Sequence, residues 1–508
     1  DVVPTMSNST YATAFNRSET PIFASIETRL KEHLDRRTHE GSLRSLMPLP
    51  ASADADTSSK KNPLTLQSAL VDFASNDYLG LARCSDQHSK VESAYREFLS
   101  RYEGSKTNPP VLGATGSRLL SGDSSLARTL EAYLASPSVH DREAALIFNS
   151  GYDANLSILS SLPYRNENGS DAIIVDELVH NSLVMGVRMS RLDPKNVFLF
   201  RHNDVEDMKR VLKNVCQLSK KSTSAIASSG PSVLIVVESV YSMDGDIAPI
   251  KRILDSAYEM GATVMIDEAH GLGVFGRTNS QNMILEDGTD VFSKINSIDK
   301  PYKNENTRKS GGTGVLGALN LEHHPALFCS VHTFGKAAGC HGAVVAGSSN
   351  LISYLVNYAR PFVYSTALPP HSLVTIHESY ESMLGIEGER RRKRVFQLVK
   401  LFRQKMLAGL CELKDKAPSL EFELLPSPSP IQAVIVPGNE RCISICNYLR
   451  NSGKLDVYPI RSPTVAKGKE RIRIILHSHN DEKEVHYLVE SLSKILKQSI
   501  LHQNLDMQ

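Results

Sequence analysis

The chain is 508 residues long, with 41% hydrophobic and 22% charged residues, a balance that gives a globular protein room for two or three domains. A formal net charge of +1 excludes a nucleic acid or an acidic membrane held by bulk electrostatics. Seven scattered cysteines, odd in number and without metal-ligand spacing, read as reduced thiols of an intracellular protein, and no metal site is expected.

In chain order, residues 1 to 20 are polar. They lack the basic and apolar blocks of a secretory leader, and no apolar run reaches membrane-spanning length. A cytoplasmic protein is therefore expected, with organelle import left open because the chain begins at Asp1 rather than at Met. Apolar Ile22, Ile26, Leu30 and Leu34 predict a helix over 21–38, within an N-terminal arm spanning 1–70. From 71 to 365, short apolar runs alternate with amphipathic stretches. Strands are predicted at 144–148, 172–175, 197–200, 233–237, 263–266 and 343–346, with helices at 126–134, 155–162, 181–190, 205–218 and 250–260. The alternation predicts an α/β unit with a mostly parallel central sheet covered by helices. Polar residues 278–312 read as a flexible insertion. The following Gly312-Thr-Gly314-Val-Leu-Gly317 matches a dinucleotide fingerprint in form only, because no strand precedes it. Residues 366–508 read as a small α+β domain, and Arg390–Arg394 as the solvated face of its first long helix.

The chemistry concentrates in two places. Val331-His-Thr-Phe-Gly-Lys336 offers one lysine in a short Gly-flanked turn, and Val264-Met-Ile-Asp267-Glu-Ala-His270 sets a carboxylate and an imidazole at the end of a buried run. Open α/β sheets bind ligands at such strand ends. Pyridoxal phosphate chemistry needs this trio: an amine for the aldehyde, a carboxylate to keep the ring nitrogen protonated, and an imidazole for the ring hydroxyl. Lys336 is the expected cofactor anchor.

Further segments carry a family likeness. They include Asp72-Phe-Ala-Ser-Asn76-Asp-Tyr-Leu-Gly-Leu81, Gly113-Ala-Thr-Gly-Ser-Arg118-Leu-Leu-Ser-Gly122, Phe148-Asn-Ser-Gly151-Tyr152-Asp-Ala-Asn155, Asp176-Glu-Leu-Val-His180, Glu238-Ser-Val-Tyr-Ser242-Met-Asp-Gly245, Tyr364-Ser-Thr366 and Ile460-Arg461-Ser-Pro463. Together with the two motifs above they resemble the α-oxoamine synthase family of fold-type-I pyridoxal phosphate enzymes. The likeness is strongest to the branch that condenses L-alanine with pimeloyl-CoA in biotin biosynthesis. Ser462, where that branch usually has proline, and the 278–312 insertion depart from the pattern and bear on acyl specificity.

The resemblance implies a homodimer with its active site at the subunit interface, and roles for single residues. His180 would stack on the cofactor face. Gly151 and Tyr152 would cradle the phosphate at a helix N-terminus. Ser242 and Thr333 would donate hydroxyls, and Thr366, expected after a strand, would reach the phosphate of the neighbouring subunit. Arg461 would grip the amino-acid carboxylate, with Arg44 and Asn76 as weaker substrate-binding candidates. Three alternatives stay open: another acyl-CoA or amino acid, an aminotransferase or decarboxylase of the same fold, and a non-catalytic partner subunit.

Overall fold

The computed structural model of the protein describes residues 26–39, 43, 70–102, 110–164, 171–222, 231–276, 311–416 and 422–506. Most of the 278–312 insertion and Arg44 lie outside them. The strands are β1 (Val71–Asp72), β2 (Ala144–Phe148), β3 (Ala172–Asp176), β4 (Val197–Phe200), β5 (Val233–Glu238), β6 (Thr263–Asp267), β7 (Leu327–Thr333) and β8 (Ala343–Gly347). Seven of them form one sheet in the order β2-β8-β7-β6-β5-β3-β4. Strand β8 is antiparallel to both of its neighbours, and every other pair is parallel. Strands β3 and β5 are buried along their whole length, as unbroken Ile/Val/Leu runs must be when helices cover both faces.

The predicted helices appear as Ser125–Ala135, Gly151–Ser161, Asn181–Met189, Val205–Ser222 and Ile250–Glu259. Sequence reading missed Ser85–Ser100, Ser349–Tyr358 and strand β7. The N-terminal helix Ile26–His39 buries none of its residues, although Ile26, Leu30 and Leu34 give it an apolar side.

Helices Pro370–Leu384 and Ile386–Lys416 lead into a second, antiparallel sheet made of β9 (Glu423–Leu424), β10 (Ile431–Ile435), β12 (Tyr458–Ile460) and β13 (Arg471–Ile475), in the order β12-β13-β10-β9. The remaining strand, β11 (Leu455–Asp456), pairs in parallel with β1, and Ile475 N–H donates to the Phe73 carbonyl at 2.8 Å. The segment that opens the folded chain is thus stitched to the C-terminal sheet. Among the described residues, no helix is long and apolar enough to cross a membrane.

The basic run is only partly a solvated face. Arg390 is exposed and pairs with Glu387, but Arg392 is among the most deeply buried large side chains. Its guanidinium reaches Glu389 at 2.9 Å and the Met383 carbonyl at 2.7 Å, so the buried charge is both paired and hydrogen-bonded. A plain charge count cannot distinguish an arginine aimed inward from its neighbours on the same helix.

Candidate active site

Parallel strands end together, so their last residues meet along one edge of the sheet. Glu238 and Asp267 are register partners at the ends of β5 and β6, and Asp267 pairs with Val331 of β7. The chain leaves β7 through Phe334 and Gly335 into Lys336, whose carbonyl accepts from Gly339 N–H at 2.8 Å. Sequence motifs 69 residues apart are thereby brought to one place.

Asp267 is buried and fixed from two sides. Ala269 N–H donates to its Oδ1 at 2.8 Å, and Asn155 Nδ2 to its Oδ2 at 2.7 Å. Asn155 also donates to Ser182 Oγ at 2.9 Å, while its own Oδ1 is buried without a partner among the described residues. Ser182 Oγ in turn lies 2.8 Å from His180 Nδ1. His180 caps the helix Asn181–Met189, since Ser182 N–H donates to Nδ1 at 3.2 Å, and its backbone N–H donates to Glu238 Oε1. One hydrogen-bonded chain therefore runs from Asp267 to the imidazole of His180.

The electrostatics follow from enclosure. Burial lowers the Lys336 pKa, opposed by Asp267 and Glu238 and reinforced by Arg473, so the amine is more often neutral than an ordinary lysine. Burial also raises the Glu238 pKa well above the carboxylate range, with Asp267 adding to the effect. His270 is held neutral by burial, by Lys336 and by Arg473, and its Nδ1 lies 2.6 Å from the Tyr78 hydroxyl. Arg473 donates to Asn76 Oδ1 at 3.0 Å and to the Ser242 carbonyl at 2.8 Å. Asn76 thus belongs to the wall behind the site through Arg473 and Tyr78.

Beside His180 lies a cleft of about 970 Å³ into which Ser242 and Arg461 also open, with Leu43 at its margin; Lys336 and Asp267 do not line it. Gly151 begins the helix Gly151–Ser161, and Ser150 caps it by accepting from Asp153 N–H at 3.1 Å. A Cβ at Gly151 would fall 2.1 Å from Thr333 Oγ1, so glycine is required for the helix start and the end of β7 to approach this closely. Tyr152 follows, partly exposed.

Thr366 lies apart from this cluster. It follows the short helix Arg360–Val363 rather than the expected strand, because Pro361 favours a helix start there. It borders a small hollow with Arg118, Asn149 and Phe362. The fingerprint Gly312–Gly317 holds no phosphate seat: the helix Val315–Leu319 presents its first amides to the buried Glu268 carboxylate, Leu316 N–H at 2.7 Å and Val315 N–H at 3.1 Å. Asn155, Ser182, Glu238, Tyr78 and Arg473 were missed as members of the site. Asn155 had one usable signal, standing one helical turn after Gly151 on the same face.

The aminotransferase class I and II family model matches residues 68–492. The 8-amino-7-oxononanoate synthase of Emericella nidulans is 34% identical over 440 residues, 85% of this chain and 90% of that protein. The enzyme of the same name from Herminiimonas arsenicoxydans is 32% identical over 424 residues, covering 84% and 89%. Among solved structures, Sphingomonas wittichii serine palmitoyltransferase superposes with a TM-score of 0.69 at 22% identity, covering 94% of this chain and 100% of that one. The 8-amino-7-oxononanoate synthase of Francisella tularensis gives a TM-score of 0.59 at 21% identity, covering 85% and 100%. These two likenesses bear on the fold alone, which is that of the fold-type-I transferases. The chain belongs to the aminotransferase class I and II family, in its α-oxoamine synthase branch.

Proposed function

We propose that the chain is a pyridoxal 5'-phosphate-dependent acyltransferase that joins L-alanine to pimeloyl-CoA, releasing CoA and CO2 and forming 8-amino-7-oxononanoate for biotin biosynthesis. The name shared by relatives matching most of their length supports the reaction. The observation that carries the site is the meeting of Lys336, Asp267 and His180 along one sheet edge.

Pyridoxal phosphate fits the groups present. Asp267 would hold the cationic ring nitrogen, His180 the ring face, His270 the ring hydroxyl, and Lys336 the aldehyde. The amides at Gly151 and Tyr152, with the hydroxyls of Ser242 and Thr333, would receive the phosphate. Asn155 Oδ1, buried beside Asp267 and without a partner among the described residues, leaves an acceptor there for a further donor, which supports the fit. When bound, the cofactor supplies an electron sink for charge left at the amino acid's Cα. Lys336 Nζ, its pKa lowered by burial, is better suited than an ordinary lysine to accept the Cα proton. Arg461, which opens into the cleft, would hold the carboxylate of alanine; Arg44 remains the candidate for the acyl substrate, and Asn76 a substrate-binding candidate.

The same proposal includes the division into an arm (1–70), a large unit (71–365) and a small unit (366–508), and a homodimer. Ala367 N–H donates to the Gly116 carbonyl at 2.9 Å, so the Thr366 segment lies against Gly113–Gly122. Leu112, Leu120 and Tyr364 on these segments are each about four-fifths exposed, which is costly unless a second copy covers them. Thr366 would then serve the partner's site.

The test is thiol release by purified protein given L-alanine and pimeloyl-CoA, with serine, glycine and other acyl chain lengths as comparisons. Alanine-dependent release that is fastest with the pimeloyl thioester is expected. A clear preference for another pair would reassign the substrate. No release with any pair, and no cofactor bound, would make the chain a non-catalytic partner subunit.

A further inference from the structure

Behind the cleft, one imidazole lies between two carboxylates. His202 Nδ1 is 2.9 Å from Asp176 Oδ1, and its Nε2 is 2.8 Å from Asp246 Oδ2. Asn203 repeats the pattern, donating from its backbone N–H to Asp176 at 2.9 Å and from its side chain to Asp246 at 2.6 Å. The ring of Tyr241 packs edge-on against the imidazole at 4.3 Å. Asp176 ends β3 and is fully enclosed, whereas Asp246 lies in the hairpin closed by the Val240–Ile247 bridge.

The Asn203 amide nitrogen also lies 3.2 Å from Nε2, but its shorter contact is to Asp246, so the carboxylate at 2.8 Å is the nearer partner of that ring nitrogen. A carboxylate at each nitrogen favours two N–H donors, and only the imidazolium carries two. The two carboxylates belong to the loops that matter. His180 lies four residues after Asp176, and Ser242 four residues before Asp246. Both open into the cleft, while His202 does not border it. We propose that His202 is a positioning residue, a half-buried cation that holds the His180 loop and the Ser242 hairpin in register behind the site. The proposal rests on the reading of His180 and Ser242 as cofactor contacts.

The remaining charges near the clamp are engaged elsewhere. Glu177 accepts the His202 backbone N–H at 3.0 Å, Arg201 pairs with Asp204 at 2.8 Å, and Asp244 pairs with Arg471. Burial alone would lower the His202 pKa, but its bonds to Asp176 and Asp246 outweigh that and raise it to about 10.

The experiment compares wild type loaded with pyridoxal phosphate against His202→Gln, which keeps a polar side chain but cannot carry the charge. In 15N-histidine-labelled wild type, one imidazole should retain both N–H protons at about pH 9, and that signal should vanish in the variant. The folded variant should bind cofactor on the order of tenfold more weakly and show altered visible circular dichroism of the bound cofactor. Asp246→Asn keeps the contact but removes one charge, so loss of cofactor signal should begin at lower pH than in wild type. A folded His202→Gln with unchanged cofactor affinity and dichroism overturns the positioning role, and a singly protonated ring at neutral pH overturns the clamp itself. If His202→Gln does not fold, an unchanged pH dependence in Asp246→Asn is the overturning result. A wild type that binds no pyridoxal phosphate would instead strike the functional reading, leaving the labelled imidazole to judge the clamp.

Discussion

Two histidines in this protein end up in different charge states, one cationic and one neutral. His202, at the strand-end edge, lies between two carboxylates and is held protonated, its pKa raised to about 10. His140 lies in the interior, with Nε2 3.0 Å from the Tyr380 hydroxyl and its ring stacked on His332 at 3.7 Å. Burial without a carboxylate pushes its pKa down to about 3. Enclosure disfavours the cation in both places, so the partners decide. The same contrast separates the two regions at large. Along the edge, the Asp267 charge bears on the protonation of Glu238, Lys336 and His180; inside, His140, His332 and Tyr380 pack as neutral groups. Substitution at the edge should therefore cost activity, and substitution inside should cost stability.

The largest effect belongs to Lys336→Ala, which should reduce turnover by about 10⁴-fold or more and leave the melting temperature near that of wild-type protein without cofactor. Steady-state CoA release and a thermal melt check both halves. Asp267→Asn keeps the shape but removes the charge, so a loss of about 10³-fold in kcat is expected. A value within tenfold of wild type would break the claim that the edge charges serve the chemistry. Asn155→Ala frees Asp267 and Ser182 without touching a charge. About tenfold in kcat and roughly 1–3 kcal/mol of stability are expected, the latter from the polar partners left bare. His140→Phe should leave kcat/KM unchanged and cost roughly 1–3 kcal/mol, because the Tyr380 hydroxyl loses its buried partner.

The pH dependence of stability sharpens the contrast, because the signs are opposite. Between the folded value near 3 for His140 and an unfolded value of about 6.5, the unfolded chain binds the extra proton. Stability from His140 is therefore lost as pH falls through that window. For His202 the folded chain binds the extra proton, so its contribution is complete below about pH 6.5 and is lost as pH rises toward 10. Stability curves from pH 4 to pH 10 should show His140→Phe flattening the acid limb and His202→Gln the alkaline limb. The two variants affecting the same limb would remove the basis of the comparison.

The parts of this molecule legible in sequence were those governed by local pattern. Unbroken runs such as Ala172-Ile-Ile-Val175 gave strands, and the spacing of Ile250, Ile253 and Leu254 gave a helix. Strand β7 was hidden because Cys329, Ser330 and His332 interrupt its apolar run. They are buried nonetheless, and Ser330 Oγ lies 2.9 Å from His332 Nε2. Lys336, Asp267 and His180, which the fold brings together, could be singled out in sequence because chemistry restricts the residue types that can serve the proposed roles. Their supports could not, since Asn155 meets Asp267 across 112 positions and Tyr78 meets His270 across 192. Such pairs are fixed by the sheet order, which no local pattern records. Arg392 was misjudged for the same reason, its buried acceptors lying on other turns and loops.

Reduction of the pyridoxal phosphate-loaded protein with borohydride, followed by peptide mapping, tests the central assignment most directly. A single pyridoxyl group on the peptide carrying Lys336, absent from Lys336→Ala, is the predicted result. A label on another lysine, or none at all, would contradict it.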